Sequence, residues 1–72
     1  MSYAKLRGRI REIYGTQEAF ASAIGLSATA LSMRLGDKTS WSADEMRKAM
    51  ICLQIPADEL PSYFFRPEVH NY

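Results

Sequence analysis

Few side chains in this 72-residue sequence can make or break a covalent bond. The single histidine, His70, lies in the last stretch of chain, and the single cysteine, Cys52, falls inside a helical pattern. No pair of acidic residues marks a cleft, and neither a Gly-rich phosphate loop nor a cluster of metal ligands occurs. The sequence is therefore read as that of a non-enzyme, with no catalytic residues, metal or cofactor. What it does offer is hydrogen-bond and small apolar chemistry. Thr29, Ser32 and Met33 carry small or polar groups without formal charge, Ser27 precedes them, and Gly36-Asp37-Lys38-Thr39-Ser40 follows as a run of turn-formers and donors. Lys38, Thr39 and Ser40 are able to donate to phosphate oxygens, although such a loop also serves as a plain connector.

The segment that must position these residues runs from Gln17 to Gly36 and reads as two short helices hinged at Gly25-Leu26-Ser27. Phe20, Ala21 and Ile24 share one apolar face at helical spacing. Ala21 is small where two crossing helices approach, and Gly25 stands where the first helix must end in a left-handed residue. Ser27 caps the second helix, with Leu26 and Leu31 at the spacing of a hydrophobic staple. Leu31 and Leu35 continue the inner face, leaving Thr29, Ser32 and Met33 outside. This is the pattern of a helix-turn-helix, whose second helix enters the major groove of DNA.

Gln17, Ala21, Gly25 and Leu31, with apolar Phe20, Ile24 and Leu26 between them, resemble the motif of the lambda-repressor-like (Cro/CI, or XRE) family. From about residue 3 to residue 65 the chain is similar to the small single-domain repressors of bacterial phages and prophages. It departs from the family at Arg34, where an apolar residue is common. The resemblance implies that Gln17 seats the helix pair on a phosphate and that Ala28 turns its methyl toward the groove. It also implies that Arg34 belongs to the DNA-binding set with Ser27, Thr29, Ser32, Met33, Lys38, Thr39 and Ser40. The expected partner is double-stranded operator DNA, bound by a homodimer formed in solution or only on DNA, and the expected action is repression by operator occlusion. The outer face lacks the Arg, Asn or Gln of bidentate base recognition, so hydroxyl and methyl contacts, bridging water and DNA shape would carry specificity. The rival reading is a protein-interaction module such as an antitoxin or adaptor.

Bulk properties fit either reading. Seventy-two residues suit one domain, here residues 1–65 with a tail at 66–72, and 47% apolar with 24% charged residues argues against disorder. Residues 1–41 hold six Lys/Arg against Glu12, Glu18 and Asp37, a balance of +3, while residues 42–72 stand at −2. The half with the helix pair is thus the basic half. One cysteine, and no apolar run of membrane length, lead to an expected place in the bacterial cytoplasm or nucleoid.

The remaining elements complete an expected all-α bundle of about five helices. A first helix over residues 3–14, capped by Ser2, places Tyr3, Leu6, Ile10, Ile13 and Tyr14 on one face, with Gly8 on the far side. Ser42-Ala43-Asp44-Glu45 is a capping box, stapled by Trp41 and Met46, and Met46, Ala49, Met50 and Leu53 share the face that follows. Ile51 or Cys52 then packs against the C-terminal segment. After Pro56, one helical turn leads to Tyr63-Phe64-Phe65, an apolar cluster that folds back on the first and fourth helices or meets a second subunit.

Overall fold

Three helices of this protein begin at a side chain that accepts a bond from their first turn. In the computed structural model, which describes residues 3–65, α1 spans Ala4–Tyr14, α2 Gln17–Ala23, α3 Ala28–Leu35, α4 Ala43–Cys52 and α5 Leu60–Phe64, the last preceded by a 3-10 turn over Ala57–Glu59. The Thr16 hydroxyl accepts from the Ala19 amide, Ser27 from Ala30 and Ser42 from Glu45, each satisfying an amide that the helix itself leaves open. At α4 the box is complete, because the Glu45 carboxylate accepts the Ser42 amide in return. α1 starts differently. Tyr3 precedes it with φ +58 and no side-chain cap. The expected cap, Ser2, lies outside the described residues, as do His70 and the tail.

Helix ends follow the same economy of backbone groups. Gly25, at φ +78, turns the chain out of α2 while its own amide and that of Leu26 return to the carbonyls of Ser22 and Ala21. That pair of bonds is a Schellman motif. It recurs at the end of α3 with Asp37 at φ +66, and at the end of α4 with Gln54 at φ +55.

The helices enclose one core built from Leu6 and Ile10 of α1, Phe20 and Ala21 of α2, Ile24 after it, Leu31 and Leu35 of α3, Ala49 and Leu53 around α4, then Ile55 and Phe64. All five helices contribute to it or border it, and no strand occurs among the described residues. Ala21 is 1% exposed, so α2 comes as close to its neighbours as an alanine allows. Trp41 packs partly buried between Tyr3 and Phe64, its ring edge-on to both at 6.3 and 5.1 Å.

Packing departs from the expected faces at two places. Ile13 is 37% exposed because Tyr14, stacked obliquely on Phe20 at 5.5 Å, closes that end of α1 instead. Of Ile51 and Cys52, the isoleucine points outward and the cysteine is half-buried. A hydrogen bond to Cys52, followed by burial, raises the pKa of the Tyr14 hydroxyl.

The C-terminal aromatic residues separate by role. Phe64 enters the core, Tyr63 lies half-buried under Lys5, whose ammonium sits 4.6 Å above the ring, and Phe65 stays 57% exposed. Lys5 also donates to the Ser62 hydroxyl at 2.9 Å, fastening α5 to α1. Gly8 is exposed on α1, with open space where a side chain would go.

Candidate functional site

α3 buries Leu31 and Leu35 completely, and helical geometry then fixes which residues face out. Ala28, Thr29, Ser32 and Met33 are exposed, with Met33 at 45%. Together they make an outward strip of two hydroxyls, a methyl and a thioether. Ser27 stands at its N-terminal edge. Its oxygen is used by the Ala30 amide at 3.0 Å, while its hydroxyl proton stays available for a partner.

At the other edge the chain turns through Asp37. The Lys38 amide donates to the Met33 carbonyl at 2.8 Å, and the Thr39 amide approaches the same carbonyl at 3.3 Å. Both backbone donors are thereby tied to α3, which holds the loop against the helix end. Lys38 and Ser40 extend outward as exposed side chains, and Thr39 is half-buried. Gln17 stands apart, at the first turn of α2. With Arg7, Ile10, Arg11, Gly15 and Thr16 it lines a depression of about 200 Å³.

Arg34 occupies a different environment from the rest of its set. Its Nε and Nη2 donate to the two carboxylate oxygens of Glu45 at 2.8 and 2.9 Å, and Nη1 donates to the Ala30 carbonyl at 3.0 Å. The two side chains are 17% and 16% exposed. The hydrogen bonds from Arg34 hold the Glu45 carboxyl below the usual carboxylate range; burial opposes this and the Ser42 amide assists it.

Two other guanidiniums work inside the fold, and sequence patterns had not marked them. Arg7 donates to the Leu35 carbonyl at 2.8 Å, closing the end of α3, and Arg9 donates to the Leu53 carbonyl at 2.9 Å, closing the end of α4. For Arg7 a signal existed in its spacing. It falls four residues after Tyr3 and three before Ile10, on the stripe that faces the core. Arg9, three residues after Leu6 and four before Ile13, has comparable spacing, but for neither arginine does spacing name the partner, which lies 28 or 44 residues away.

The basic half of the chain is thus less available than its composition suggests. Arg7, Arg9 and Arg34 donate into the fold, whereas Lys5, engaged at the surface with Ser62, Arg11 beside Gln17 and Lys38 beside α3 are exposed cations of this half. Among the described residues there is no group of three or more side chains suited to a metal ion. None of the described helices is long and apolar enough to cross a membrane.

Residues 1–67 match the family described as "Protein of unknown function (DUF739)", and the chain belongs to that family. It is also similar to the solution structure of the modulator of repression (MOR) of the temperate bacteriophage TP901-1 from Lactococcus lactis. Sequence identity is 43%, the TM-score is 0.80, and the alignment covers 90% of this chain and 88% of that one. No curated protein matches the sequence. The helical architecture is therefore shared with a phage modulator of repression.

Proposed function

We propose that this member of the DUF739 family is a phage regulator that modulates transcriptional repression by holding a protein of the repression apparatus against the exposed face of α3. The observation that carries this reading is the neutrality of the face. Ala28, Thr29, Ser32 and Met33 project from α3 without a charge, and Arg34 is bound to Glu45. Duplex affinity rests on cations that displace counterions from phosphates, each worth about 0.9 in the slope of log affinity against log salt. Beside this face Lys38 is the exposed cation, and Arg11 stands apart near Gln17. A protein surface makes no such demand. It matches a strip of hydroxyls around a methionine, a side chain that adapts to irregular apolar surfaces. The printed name of the similar phage protein, a modulator of repression, supports an action on a repression system.

A second reading is favoured by the helix pair itself, two short capped helices joined at Gly25 in the lambda-repressor-like pattern. In it α3 enters the major groove of operator DNA, Thr29, Ser32 and Met33 meet base edges, and Ser27 and Ala28 lie at the entry. Gln17, Lys38, Thr39 and Ser40 then contact phosphates, and a pair of copies occludes the operator, with half-sites about one helical turn apart. In both readings residues 1–65 are the working unit, it acts without catalysis, and the bacterial cytoplasm or nucleoid is where it works.

Anisotropy titrations of a labelled operator duplex and of the labelled repressor of the same phage separate the two. The protein-partner reading expects saturable binding to the repressor, weakened at least tenfold by Met33→Ala combined with Ser32→Arg. The operator reading expects salt-dependent binding to the duplex. There, Lys38→Ala lowers the salt slope by about one and weakens all sequences alike. Repressor binding that survives the α3 substitutions contradicts the first reading.

A further inference from the structure

Glu45 serves two masters. One oxygen accepts the Ser42 amide at 3.0 Å and closes the capping box of α4, while the same carboxylate receives the fork of Arg34 through Nε and Nη2. With Nη1 on the Ala30 carbonyl, all three guanidinium nitrogens have acceptors inside the chain. A planar fork on two oxygens is the geometry by which arginine binds a carboxylate or a phosphate, and one such acceptor excludes the other. Arg34 sits in the last turn of α3, four residues before Lys38. On sequence position it is the cation best placed to join Lys38 at a nucleic-acid backbone.

We infer that Glu45 is a specificity-determining residue of the α3 face, an internal substitute for a phosphate that withholds Arg34 from nucleic acid and leaves the face to a neutral protein surface. The inference rests on α3 being the working face, as proposed above. It adds what decides the class of partner. The carboxylate is supplied by α4, and its bond to the Ser42 amide is made within the first turn of that helix, so the acceptor has an anchor of its own besides Arg34. A phosphate must compete with an acceptor that is already positioned and five-sixths buried.

Glu45→Gln tests this with little change of shape, since the amide keeps one oxygen for the Ser42 amide but loses the charge that holds Arg34. Circular dichroism confirms folding, and anisotropy of a labelled mixed-sequence duplex is followed from 50 to 200 mM salt. The expected result is a salt slope steeper by about 0.9 than the parent's, so that affinity falls about 3.5-fold further across that range. Glu45→Gln combined with Arg34→Met should return to the parent slope. Glu45→Asp, which keeps a capping carboxylate but draws it back from Arg34, should steepen the slope in the same direction. It carries the test if the glutamine variant does not fold. An unchanged slope in the folded variants overturns the inference, as does a steepening that persists without Arg34. Tight, sequence-selective duplex binding by the parent would instead defeat the protein-partner reading. The difference between parent and variant would still decide the role of Glu45.

Discussion

α3 is entered and left through the same backbone turn, and different forces hold the two ends. At the entry, Gly25 takes φ +78 and the amides of Gly25 and Leu26 return to Ser22 and Ala21. At the exit, Asp37 takes φ +66 and the amides of Asp37 and Lys38 return to Arg34 and Met33. Glycine adopts the left-handed conformation without steric cost, so the entry is specified by the residues that form it. Aspartate tolerates that conformation less readily, and the exit has help from elsewhere. Arg7 of α1 binds the Leu35 carbonyl, and Glu45 of α4 clamps Arg34. One end of α3 is thus a local structure and the other a tertiary one.

The contrast breaks most sharply at the entry. Gly25→Val forces a β-branched residue into positive φ and should cost about 1–3 kcal/mol in chemical denaturation. Ala21→Leu, one turn earlier and fully buried, should lose a similar amount by overpacking the crossing. Parent-like stability in both variants would mean that the entry is not held by local geometry.

At the exit, the expected losses come from residues distant in sequence. Arg7→Met removes a charge-assisted hydrogen bond and strands the Leu35 carbonyl, for an expected loss of about 1–2 kcal/mol. Arg9→Met makes the parallel test at the end of α4, through the Leu53 carbonyl. Denaturation midpoints unchanged by Arg7→Met would show the exit to be as local as the entry.

Gln54 is the converse case, because it ends α4 by the same motif at φ +55 with a non-glycine residue. Gln54→Gly should relieve that conformation and gain roughly 0.5–1 kcal/mol in stability. A loss on substitution would show that the glutamine side chain itself stabilises the turn.

The smallest effect is one of pH. Glu45 is more acidic in the folded chain than unfolded, chiefly through Arg34, so its contribution is fully present above the unfolded value of about 4.3. It is lost as pH falls through the lower folded value. Thermal midpoints should drop over that acid range in the parent, and the drop should be shallower in Glu45→Gln. Superimposable acid limbs would mean that the clamp contributes no linkage.

The same division between local and tertiary explains what the sequence discloses. Thr16, Ser27, the Ser42–Glu45 box and Gly25 are legible because each partner lies within a few residues of the other. The outward placement of Thr29, Ser32 and Met33 follows from the spacing of Leu31 and Leu35. Composition misleads at the charges. A count of arginines in the first half suggests a phosphate-facing surface, yet Arg7, Arg9 and Arg34 find acceptors 28, 44 and 11 residues away. No periodicity encodes those pairings. The separation of Phe64 from Phe65, and of Cys52 from Ile51, likewise depends on how α5 and α1 pack, which adjacent residues do not reveal.

The proposed contact between the outward strip of α3 and a protein of a repression system is open to direct test. Backbone amide spectra of the 15N-labelled chain, recorded with the repressor of the same phage and separately with its operator duplex, test it most directly. The repressor should shift the amides of Thr29, Ser32, Met33 and Lys38, with little change along α5, and the duplex should leave them near their starting positions at physiological salt. Shifts of those four amides by the duplex alone would contradict the claim and make α3 a reader of DNA.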